Sequence, residues 1–174
     1  MRPVRPLAAA LVLASCIVLV SGSALAQTVR VSDPAGDGLK GHSLDITAVK
    51  VANRDHAIVV TIPVVKVAHG DLGVRMRMRG DSTKETALVR SLHRAKGDTN
   101  SLFTVAGETA CAGLRVVWDD AAKRVQVRLP SRCVDSGDYG AVGVKVIFEI
   151  GSDADFAPEG PKGGWRFTDY VARG

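Results

Sequence analysis

The chain runs to 174 residues, 46% of them hydrophobic and 24% charged, with a formal net charge of +5. That is one domain's length once a leader is set aside, and no linker, internal repeat or low-complexity tract divides it. Aromatic residues make up only 5%, and none interleaves the basic stretch described below, which argues against stacking on nucleic-acid bases.

Arg2 and Arg5 precede an apolar run from Leu7 to Val20, and small residues lead to Ala24-Leu25-Ala26 before Gln27. A positive start, an apolar middle and an A-x-A end describe a secretory signal peptide over residues 1–26. The run falls short of the about 20 clearly apolar residues of a membrane span, and Ser15, Ser21 and Gly22 dilute it. Leu13-Ala14-Ser15-Cys16 offers an alternative, a lipidation box anchoring the protein through Cys16. Against it, Ile17 to Val20 carries the apolar region past the cysteine. Cleavage after Ala26 removes two arginines and no acidic residue, so residues 27–174 form a single, mildly basic domain of net charge +3.

Within that domain, short apolar runs are punctuated by glycine and aspartate. Strands are expected over 28–31, 45–52 and 57–67, with Pro63 marking a bulge or a change of pairing in the third. Over 74–79 the residues alternate, with Val74, Met76 and Met78 on one face and Arg75, Arg77 and Arg79 on the other. Residues 83–96 admit two readings. Ser82 and Glu85 make a capping box for a helix bearing Leu88, Leu92 and Ala95, while Ala87, Val89 and Ser91 alternate as a strand. The strand is preferred because its neighbours are strands joined by short connections.

A short strand follows at 102–105 and a long one at 141–150, with Val144, Val146, Phe148 and Ile150 inward. Residues 151–164 read as loop, and 165–170 as a last strand or a docked tail. Between them, Leu114, Val116 and Trp118, then Val125, Val127 and Leu129, recur at period two about a polar turn. That is a β-hairpin with Cys111 and Cys133 just outside its ends, so closing it brings the thiols together as a disulfide. Roughly nine short strands at regular spacing give an all-β fold, an antiparallel β-sandwich of jelly-roll or immunoglobulin-like type.

Asp33-Pro34-Ala35-Gly36-Asp37-Gly38, followed by Asp45-Ile46, is the one stretch with metal-site chemistry. Calcium takes six to eight oxygens, and the glycines let a loop curl around the ion with Asp33, Asp37 and Asp45 as ligands. Asp153 and Asp155 would add oxygens if the two ends of the chain meet. The competing reading is that these aspartates hydrogen-bond their own turns. The Asp-Pro-x-Gly-Asp…Asp-Ile pattern over 33–46 resembles the start of secreted bacterial β-sandwich modules similar to carbohydrate-binding and DOMON-like domains. That resemblance implies a non-catalytic binding module, with calcium at an N-terminal aspartate loop and a glycan as one class of partner.

Arg75, Arg77 and Arg79 lie in a stretch, residues 66–96, of net charge +5. Such a face suits an anionic polymer or anionic headgroups, and equally a solvated outer face that discourages edge pairing. Trp118 and Trp165 read as core and as C-terminal anchor rather than a sugar platform. For catalysis the signal is thin: His42, His56, His69 and His93 are scattered, and no H-E-x-x-H, C-x-x-C or G-x-S-x-G occurs. The expectation is therefore a secreted binding or structural module stabilised by calcium. A small hydrolase with a motif-free site and an envelope-associated polyanion-binding domain are the alternatives.

Overall fold

The period-two runs form twelve strands in a computed structural model that describes residues 27–38, 45–79, 86–137, 139–160 and 164–174. The expected leader, Cys16 and the Ser82–Glu85 box lie outside the described residues. The strands are β1 (Gln27–Ser32), β2 (Ala48–Arg54), β3 (Ala57–Pro63), β4 (Gly70–Met78), β5 (Ala87–His93), β6 (Thr99–Thr104), β7 (Gly107–Thr109), β8 (Arg115–Asp119), β9 (Arg124–Pro130), β10 (Ala141–Ile150), β11 (Asp153–Ala157) and β12 (Val171–Ala172). They make two antiparallel sheets, one in the order β1-β2-β3-β9-β8 and the other β11-β10-β4-β5-β6-β7, with β12 also on β10.

The sheets pack because their inner strands bury alternate side chains. One inner face presents Val49, Val51, Ile58, Val60, Ile62, Val125, Val127 and Leu129. The other presents Leu72, Val74, Met76, Val89, Val142, Val144, Val146 and Phe148, and all of these are buried in one core. The outward positions Val59 and Thr61 of β3 are only half-buried, so β3 is central within its sheet without being fully covered on its outer face. Pro63 ends β3 at a bulge: Val64 bridges Ile46 one residue out of step with the β2–β3 register, while its N–H donates to the Lys123 carbonyl at 3.0 Å beside the start of β9.

Residues 87–93 are a strand, paired with β4 and β6. The helical pattern loses because Val89 and Ser91 are fully buried at period two. Two elements exceed the sequence reading. Gly107–Thr109 folds back on β6, and Asp153–Ala157, read as loop, pairs with 146–150 of β10. Two charged aspartates hid the second strand, since Asp153 and Asp155 are residues that strands usually exclude.

The C-terminus is a docked tail rather than a strand over 165–170. Along one edge of β10, Ala141 and Val142 pair with β12, Val144 exchanges bonds with Thr168, and 146–150 pair with β11. Gly143 is the crossing point, where a Cβ would sit 3.1 Å from the Thr168 carbonyl oxygen.

Candidate metal centre

Three carboxylates from opposite ends of the chain meet beside β11. Asp33 follows β1, Asp37 sits one residue beyond the Gly36 turn, and Asp155 is the middle residue of β11. One oxygen from each lies within 4.8 Å of the other two. Gly36 has a φ of 89°, a left-handed turn that glycine adopts without strain, and this returns Asp37 toward Asp33.

Backbone amides hold two of these carboxylates. Asp155 accepts from the Ile46 N–H at 2.6 Å and from its neighbour Phe156 at 2.7 Å. Asp33 Oδ1 accepts from Glu159 N–H at 2.8 Å, while its Oδ2 has no partner among the described residues. Asp33 is only 7% exposed and Asp155 3%, and a buried carboxylate oxygen left unpaired is costly unless a cation or proton satisfies it. Asp37 is exposed and gives the cluster an open side.

The electrostatics carry the same mark. Burial pushes the Asp33 carboxyl up from 3.8 to about 7, against the lowering effect of the Glu159 amide. The Asp37, Asp155 and Glu159 charges raise it further. Burial also raises Asp155, opposed by its two amide donors and reinforced by the Asp37 and Asp45 charges. Oxygen donors, gathered by the described residues from one loop and one strand, are the donor set of hard divalent cations. The cluster can hold a metal ion.

Asp45 is placed differently from Asp33 and Asp37. Its Oδ2 accepts from Gly36 N–H at 2.8 Å, so it braces the turn from behind, and its Oδ1 has no partner among the described residues. Asp155 takes the third position in the cluster. The signal for it in the sequence was the Asp-x-Asp spacing of 153 and 155, which puts both on one strand face; which of the two lies alongside Asp33 is set by the register of β11 against β10.

Cys111 and Cys133 are joined across the ends of the β8–β9 hairpin. Arg75 and Arg77 project from the outer face of β4, where the C-terminal rings cover them. The Arg75 guanidinium lies 5.1 Å from the Trp165 ring centre, Arg77 lies 4.6 Å from that of Phe167, and Lys145 lies 4.0 Å from Trp165. Arg79, past the end of β4, is exposed. No protein-family model matches the chain, and no curated protein matches it in sequence. Among the described residues no helix is long and apolar enough to cross a membrane.

A pH dependence follows for the metal-free protein. In the folded chain burial raises the Asp33 pKa to about 7, against 3.8 for an ordinary aspartate. Between those values the native state holds a proton that the unfolded chain has released, so stability falls as pH rises through the window and levels above it. Melting temperatures measured from pH 4 to 8 in metal-free buffer should decline across that range, and Asp33→Asn should flatten the decline. A wild-type profile that rises toward pH 7 would contradict the assignment.

Proposed function

We propose that the chain is an exported, non-catalytic β-sandwich module with a binding or structural role. A calcium ion held by Asp33, Asp37 and Asp155 pins its N-terminal loop to β11. The carrying observation is the Asp33 carboxylate, buried beside two further carboxylates with Oδ2 unpartnered among the described residues. Calcium suits the site better than zinc or copper, because the described residues bring only carboxylates to the cluster. It suits it better than magnesium because a loop-borne shell tolerates irregular geometry. The resemblance of residues 33–46 to calcium-binding secreted sandwich modules points the same way, and the signal-peptide pattern and the disulfide favour export.

An ion that binds only the folded chain stabilises it by mass action, by about 2.7 kcal/mol at a hundredfold excess over the dissociation constant. For a domain of this size that is several degrees of melting temperature. Thermal melts in chelator and in millimolar calcium should differ by that amount for the wild type and coincide for Asp37→Asn, whose exposed side chain the fold does not need. Identical wild-type melting temperatures in the two buffers would remove calcium from the proposal.

A further inference from the structure

A second cluster, unrelated to the carboxylates, joins both sheets. His69 directly precedes β4 and His93 closes β5. Gly70 pairs with His93, and the bend at His69 just before the strand leaves the two ring centres 4.8 Å apart. His69 is exposed and His93 half-buried. In the turn after β5, Asp98 places Oδ1 2.7 Å from His93 Nδ1. A carboxylate only accepts, so Nδ1 carries the proton and Nε2 presents its lone pair.

Trp118, reaching across from β8, stacks on His93 with ring centres 4.6 Å apart and planes 12° from parallel. The indole is itself fixed, since Nε1 donates to Ser91 Oγ at 3.1 Å and that hydroxyl donates to Asn100 at 2.7 Å. His93 is therefore held in plane by an indole and in tautomer by a carboxylate.

We propose that His69 and His93 together bind a transition-metal ion of the copper(II) or zinc(II) type. Metal–nitrogen bonds of about 2.0–2.1 Å and an angle between them of about 90–110° put two ligating ring centres about 4.5–5.2 Å apart. The observed 4.8 Å falls inside that range. Asp98 supplies the outer carboxylate that orients a ligating histidine. Beside His69 opens a cleft lined by Asp71, Arg94 and Glu149, room for water or a carboxylate to complete the shell. The nearby arginines do not repel the ion unopposed: Asp71 pairs with Arg90 at 2.9 Å and also with Arg94, while Glu149 and Asp98 add negative charge.

Trp118 also supplies the readout, because copper(II) bound to His93 sits against the indole and quenches its emission. Trp165→Phe leaves Trp118 as the remaining tryptophan of two. Copper(II) is titrated into that chain, made without a polyhistidine tag and in saturating calcium, with binding followed by fluorescence. One ion per chain should quench Trp118, and zinc should reverse the quenching. His69→Gln, a change at an exposed position, and His93→Gln should each weaken binding at least about tenfold, with circular dichroism confirming the fold. The spin-resonance spectrum of the copper should report two imidazole nitrogens. Adding Asp37→Asn should leave the affinity unchanged, which separates this site from the calcium reading. Absence of quenching, wild-type affinity in His69→Gln, or loss of affinity in Asp37→Asn would each overturn the proposal, the first two leaving the rings as packing only.

Discussion

Asn53→Ala should lower the folding free energy by about 4 kcal/mol, with buried polar groups left unpaired at about 1–3 kcal/mol each. Asn53 ends the inward stripe of β2 and is fully buried. Its Nδ2 donates to the carbonyls of Gly140 at 3.1 Å and Val171 at 2.9 Å, and its Oδ1 accepts from the Tyr139 hydroxyl at 3.1 Å. One side chain thus ties β2 in the first sheet to the start of β10 and to β12 in the second. Truncation takes a donor from two carbonyls, of which Gly140 keeps the Arg173 N–H at 2.9 Å, and strands a phenol that burial already holds above its ordinary pKa. Asn53→Asp should be at least as damaging, since it turns an acceptor toward two carbonyl oxygens. Urea denaturation of both variants measures the loss. A loss under about 1 kcal/mol would mean that water replaces the amide freely and the sheets do not depend on it.

Removing the disulfide should cost about 3 kcal/mol, the loop-closure value for the sequence separation of 22 between Cys111 and Cys133. Both half-cystines also pack against the core, so serine at either position adds a polar atom where an apolar one was buried. The bond ties off a hairpin whose β8 strand is a sheet edge with a partner on one side only, and that edge is where fraying would begin. Urea melts of the oxidised chain, of the chain held reduced and of Cys133→Ser test this. The two reduced forms should unfold at similar, lower denaturant concentrations. Coincidence of the oxidised and reduced curves would show that the hairpin is held by its β-sheet contacts alone.

Period-two patterning alone determined the all-β class, most of the strands and their inward faces, because each strand here buries one face and alternation is the direct imprint of that burial. Val144, Val146 and Phe148 point inward as their spacing requires, and Val116 and Trp118 face Val125 and Val127 across the hairpin. Cysteine placement at the hairpin ends was enough to pair Cys111 with Cys133. Aspartate and glycine spacing was enough to bring Asp33 and Asp37 to one loop.

What lay beyond the sequence was long-range. Asp155 joins Asp33 across more than a hundred positions only because β11 pairs with β10 in one register; a slip of one residue would turn Asp153 and Asp155 away together and put Ala154 and Phe156 in their place. The same kind of dependence covers Arg75 and Arg77. Their alternation placed them correctly on the outer face of β4, but the tail that lays Trp165 and Phe167 over them follows from how residues 165–172 dock along β10. His69 and His93 meet through the pairing of β4 with β5, and Trp118 reaches them from the other sheet. Local periodicity specifies which way a side chain points along its own strand. Which side chains then become neighbours is settled by strand register and by the packing of one sheet on the other, and every site in this protein is made of such neighbours.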